Sequence, residues 1–119
     1  MKTIRKNLLL RPYPAKGLLV LAKDIHAERK KHDKRFGPGP EDTDWAACHS
    51  SSGSGDFGLF FDYRWLSHRI VAHEVLHMTH RVLAHSAVKF DIDNHEAFAY
   101  LVGEITDQVY LHIGRWVKK

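Results

Sequence analysis

The segment Ile70 to Leu83 reads IVAHEVLHMTHRVL, and no other stretch restricts the fold of this chain so tightly. Wound as a helix, it puts Val71, Val75, Met78 and Val82 on one stripe and Ala72, Leu76, Thr79 and Leu83 on a second. A helix apolar on so many sides is predicted to be buried. The remaining stripe is Ile70, His73, His77, His80 and Ala84, which would turn the imidazoles into the protein. Buried polar groups need partners, and a metal ion is among the few that satisfy several imidazoles together.

Inside that segment His73-Glu74-Val75-Leu76-His77 is an H-E-x-x-H pentad. Helical residues four apart lie one above the other, with Cβ atoms about 5–6 Å apart, so both imidazoles can reach one ion. Zinc takes imidazole nitrogen at about 2.0–2.1 Å, and a catalytic zinc keeps a position for water beside three protein ligands. Glu74, next to the first histidine, is placed to take the proton of such a water, which would make a nucleophile at neutral pH. The third ligand has to come from another element. Glu96 is the first choice, in the run DNHEAFAYLVGEITDQVY, where Phe98, Leu101, Ile105, Val109 and Ile113 make an apolar helical face. Glu96, Tyr100, Gly103 and Asp107 form a neighbouring stripe. Gly103 costs a helix interior about 1 kcal/mol relative to alanine and would admit a second helix closely. Asp93-x-x-Glu96 is also an N-terminal capping pattern, in which Glu96 would satisfy a backbone N–H instead. His80, His85, His95, Asp93 and Asp107 stand as substitutes.

HEVLH followed by a glutamate-bearing helix resembles the zincin metallopeptidases of gluzincin type. HEVLH…DNHEAFAYLVGEI is also similar to minimal gluzincins and to small uncharacterised HExxH proteins of tailed phages and prophages. The resemblance spans residues 57–113. It implies a zincin-like fold, His73, His77 and Glu96 as ligands of Zn2+, and Glu74 as general base and acid. The activity implied is hydrolysis of a peptide or amide bond in a peptide or protein substrate. The gluzincin glutamate helix often carries an aspartate four residues after the ligand; Tyr100 stands there in this chain. Tyr63, Tyr100, Tyr110, His80 and His112 are candidate donors to an oxyanion. Zincins also bind substrate backbone along a strand beside the active-site helix, and Gly58–Tyr63 takes that place in the order. Two other classes fit the same residues. One is a non-catalytic zinc-binding module closed by a fourth ligand such as His80 or His95, and the other is a phage structural or assembly protein on a zincin scaffold.

The 119 residues suit a single domain, 1–119, and 44% hydrophobic with 27% charged residues is a globular composition. Cys48, the single cysteine, allows no internal disulfide, fits a reducing compartment and reads as a buried small residue. No run approaches the roughly 20 apolar residues of a membrane span. The opening MKTIRKNLLLRPYP is not a secretory signal, so the expected location is cytoplasmic: the host cytoplasm, or the virion if the chain is phage-encoded. Residues 1–36 carry 11 Lys/Arg against three acids, +8 of a total of +4, which leaves −4 for residues 37–119. The basic run 26–35 could meet nucleic acid, but Glu28 and Asp33 interrupt it, and a solvated helix face is the preferred reading.

Lys2–Arg11 is expected as an edge strand, Leu18–Leu21 as a short apolar run, and Asp24 as the cap of a helix through Arg35 that stops at Phe36-Gly37-Pro38-Gly39-Pro40. Asp44–His49 and Gly58–Tyr63 are expected as strands of a hairpin across the polar loop Ser50–Asp56. Ser67 caps a helix to His85, and Asp93 one to Ile113. The fold class is therefore α+β, with a small twisted sheet packed on an HExxH helix and a C-terminal glutamate-bearing helix.

Overall fold

Two segments of the chain are buried almost throughout, Lys16–Ala22 (β2) and Asp56–Asp62 (β4). Strands apolar on both faces belong in the middle of a covered sheet. A computed structural model places them there, and it describes residues 1–41, 45–89, 91–93 and 95–118. Ile4–Leu9 (β1) and Ala47–Ser51 (β3), each with a single buried residue, lie at the two ends of a four-stranded sheet ordered β1-β2-β4-β3. β1 is antiparallel to β2, β2 is parallel to β4, and β3 is antiparallel to β4. Between β2 and β3 run two short helices, Ile25–Lys30 (α1) and Asp33–Phe36 (α2). Two long ones follow β4: His68–His85 (α3) and His95–Ile113 (α4). The molecule is a small α+β domain with a mixed sheet, the class expected.

Register decides what each face of the sheet carries. Residues paired across strands share a face and successive residues alternate. Leu19, Leu21, Phe57, Leu59 and Phe61 thus join α3 and α4 in the main core, with Val71, Val75, Met78, Leu101, Ile105 and Val109. Val20, Phe60 and Cys48 face the other way, into a second cluster with Ile25 and Phe36. Burial pushes the Cys48 thiol up to about 11, against the lowering influence of Arg29. Its expected role as a buried small residue holds.

Several sequence-based boundaries change. The expected helix from Asp24 to Arg35 is two helices broken at Lys31–His32, a break that brings both Ile25 and Phe36 into the Phe60 cluster. The first strand of the hairpin runs two residues further, to Ser51; its expected start at Asp44 lies outside the described residues. α4 begins at His95, two residues after Asp93, the expected cap, and residue 94 is likewise outside them. Ser67 does cap α3, its Oγ accepting from the Ile70 N–H at 3.3 Å.

The basic run is not a continuous cationic face. Glu28, 4% exposed, gathers Arg5 at 2.6 Å, His32 at 3.1 Å and Lys31 at 3.5 Å. Arg29, equally enclosed, donates to Ser50 Oγ, Asp33 and the Gly37 carbonyl and lies over the rings of Phe36 and Phe60. Arg35 pairs with Asp56. Among the described residues no helix is long and apolar enough to cross a membrane.

Candidate functional site

α3 packs over β3 and β4 and against α4, and that contact selects one stripe of the helix for burial. The buried residues are Val71, Glu74, Val75, Met78, Thr79, Val82 and Leu83. Leu76, expected on a buried second stripe, is 46% exposed. The histidine stripe, expected to face inward, emerges instead: His73, His77 and His80 are all exposed. Among the described residues the sheet has four strands with β3 at its end, so the helix covers that end with one side and leaves the next open to solvent. The polar residue taken inward is the carboxylate of the pentad, Glu74, 5% exposed.

Imidazoles hold that carboxylate on two sides. The Nδ1 of His73 lies 3.1 Å from Glu74 Oε2, and the Nδ1 of His49 lies 3.6 Å from Oε1. Burial alone would raise the Glu74 pKa; hydrogen bonding and charge from His49 and His73 outweigh it and hold the group below its ordinary value. His77 shifts down as well, through burial first and then the electrostatic influence of the neighbouring His49 ring, with Glu74 opposing. An ionised carboxylate thus sits beside a ring that favours its neutral form. Neutral imidazole is the state that ligates metal.

His49 is a residue sequence reasoning passed over. It is paired with Leu59, whose side chain belongs to the core under α3, so the imidazole projects toward that helix. Its ring stacks on His77 with centroids 4.5 Å apart and planes 15° off parallel, while His73 meets His77 edge to face at 4.7 Å. The alternation Ala47-Cys48-His49-Ser50-Ser51 carries the signal, because one face of this strand has to cover aromatic core. Arg69 was also passed over. One turn before His73, it lines a cavity of about 220 Å³ with Ala46, Ala47, Ile70, His73 and Glu74.

The other expected site residues lie elsewhere. Glu96, in the first turn of α4, has a side chain 90% exposed and faces His95 at 3.4 Å. His80 packs on the ring of Phe98, His85 on Phe57, and the Nδ1 of His95 bonds the Ile92 carbonyl. Asp93 and Asp107 are exposed. Among the candidate oxyanion donors, Tyr110 Oη bonds His68 Nδ1 at 2.6 Å, and Tyr100 and His112 line a separate hollow beside Leu9 and Arg11. Tyr63 packs at the edge of the main core.

No family model matches the chain. Neither does any curated protein or solved structure at a significant level.

The zinc ion implied by the resemblance can be tested against these side chains. His73 and His77 suit it as a pair, one helical turn apart with adjoining rings. As they stand, no three His, Cys, Asp or Glu side chains among the described residues form a group able to hold a metal ion. The expected trio of His73, His77 and Glu96 is not brought together.

Proposed function

We propose that this protein is a metal-dependent hydrolase of peptide or related amide bonds, with Glu74 as general base and acid and with His73 and His77 as two ligands of a zinc ion. The observation that carries the reading is the buried carboxylate of Glu74 held between two imidazoles on an H-E-x-x-H turn. Zinc would supply Lewis acidity at the scissile carbonyl and to the attacking water. The carboxylate accepts the proton of the water as its oxygen attacks the carbonyl carbon, and returns it to the departing amine nitrogen. Arg69 is the cationic side chain lining the same cavity, and it is available to negative charge developing on the carbonyl oxygen.

The substrate strand would lie on β3. Gly58–Tyr63, the segment expected in that role, falls within and just after β4, which is flanked by β2 and β3 and has no edge to offer. β3 is an end strand, and among the described residues no strand pairs with its outer side. A peptide added there would pass His49 on its way to the His73–His77 turn, with main-chain hydrogen bonds giving affinity for varied sequences. An antiparallel end strand, an inner strand and then the pentad helix is also the order that supports a zincin-like reading of the fold. A closed, non-catalytic zinc site is less supported, because its candidate fourth ligands, His80 and His95, are turned to Phe98 and to the Ile92 carbonyl. The cytoplasmic location and the phage setting belong to the same proposal.

The test is Glu74→Gln in zinc-loaded protein. The variant should keep wild-type zinc content and lose about 10²–10⁴-fold in cleavage of a peptide library, the usual contribution of a positioned base. Wild-type cleavage by the variant, or no cleavage by zinc-loaded wild type, refutes the reading.

A further inference from the structure

We propose that His49, on β3, supplies the third metal-ligating nitrogen, in place of Glu96. The inference rests on the reading of His73 and His77 as ligands and changes where the set is completed.

Helix geometry excludes the carboxylate first. α3 and α4 run antiparallel, His68 meeting Tyr110 toward one end and His80 meeting Phe98 toward the other. Phe98 faces α3; Glu96, two residues earlier, is rotated about 200° around the axis and points away. It is also displaced along the helices. From the level of the His80–Phe98 contact, Glu96 lies about 3 Å toward the His85 end and the midpoint of His73 and His77 about 7 Å toward the other, a separation of roughly 10 Å. A glutamate side chain does not bridge that while facing solvent.

The geometry of His49 points the other way. Two imidazoles bound to one tetrahedral zinc at about 2.0–2.1 Å have ring centroids about 5 Å apart. The pairs His49–His77 and His73–His77 already stand at 4.5 and 4.7 Å. As they stand the three rings do not form a group able to hold the ion, and the planes of His49 and His77 are stacked within 15° of parallel, so binding requires the rings to turn. That takes rotation about the terminal ring torsion, which is broad in histidine, and His73, with its side chain 68% exposed, has space to turn. His49 and His73 also flank the same carboxylate, one at each oxygen. Strand pairing fixes where His49 starts, since its position opposite Leu59 lets the side chain leave the sheet only toward α3.

The experiment measures zinc affinity by chelator competition in wild type, His49→Ala, Glu96→Ala and His77→Ala, each checked for wild-type far-ultraviolet circular dichroism. Loss of an outer partner of a ligand weakens metal binding roughly 10–100-fold. His49→Ala should therefore lose more than a hundredfold, as His77→Ala does, while Glu96→Ala stays within about threefold of wild type. A second variant, His49→Cys, places a thiol at the same point; with cobalt(II) in place of zinc it should give a sulfur-to-metal charge-transfer band in the near ultraviolet, absent from wild type. Wild-type zinc affinity in His49→Ala, or no such band in a folded His49→Cys, overturns the inference while leaving the hydrolase reading to Glu74→Gln. A wild type that binds no zinc overturns both.

Discussion

Glu28→Gln should weaken the fold by an amount that depends on pH in a specified way. Burial by itself would raise the pKa of this carboxyl, yet hydrogen bonds from Arg5 and His32 and the charges of Arg5 and Lys31 bring it from 4.5 to about 2. At 1.36 kcal/mol per unit, that displacement corresponds to at most about 3–4 kcal/mol. Arg5 is 47% and Lys31 67% exposed, so water screens much of the attraction, and about 1–2 kcal/mol is the magnitude to expect. Because the folded-state value lies below the unfolded one, the contribution is complete above about pH 5 and disappears as pH falls toward 2. Urea unfolding of both proteins at pH 7 should show the variant about 1–2 kcal/mol less stable, with an unchanged denaturant slope. At pH 2 the two curves should coincide. Equal stability at pH 7 would show that the Arg5–Glu28–His32 cluster contributes nothing net. A difference that survives at pH 2 would place the effect in packing instead of charge.

Two further outcomes bear on how the site is held. Gly17→Ala should destabilise the β1–β2 pairing, because the added Cβ would stand 2.8 Å from Leu8 Cβ and 3.0 Å from the Leu8 carbonyl oxygen; a thermal melt at or above the wild-type midpoint would refute the clash. Ser67→Ala removes the cap of α3 and should lower stability by about 1 kcal/mol, with faster amide exchange at Ile70 than in wild type. Unchanged exchange there would show that the hydroxyl is dispensable.

The parts of the structure legible in the sequence are those governed by local period and capping. α3 spans His68–His85 behind Ser67, and α4 ends at Ile113, because apolar spacing and a serine cap act within a few residues. The β3–β4 hairpin followed from two apolar runs around a Gly/Ser turn. Which stripe of α3 goes inward was not legible. Leu76 is more apolar than Glu74, yet contact with β3 and α4 buries Glu74 and exposes Leu76, and that contact is tertiary. Spacing alone did not show that Glu96 would stand apart from His73 and His77 either, since the rotation of α4 about its axis involves Phe98 and Leu101, which pack in the core with α3. His49 escaped notice because strand register determines its direction, and register involves Leu59, a residue on another strand.

The thiol of Cys48 gives this architecture an internal clock. It is protonated at neutral pH and enclosed within the Phe60 cluster, so an alkylating reagent finds no nucleophile in the closed protein. The residue next to it in the chain is His49. The rate at which Cys48 becomes modifiable therefore times the peeling of β3 away from β4, the local opening that would also carry the neighbouring imidazole off His77.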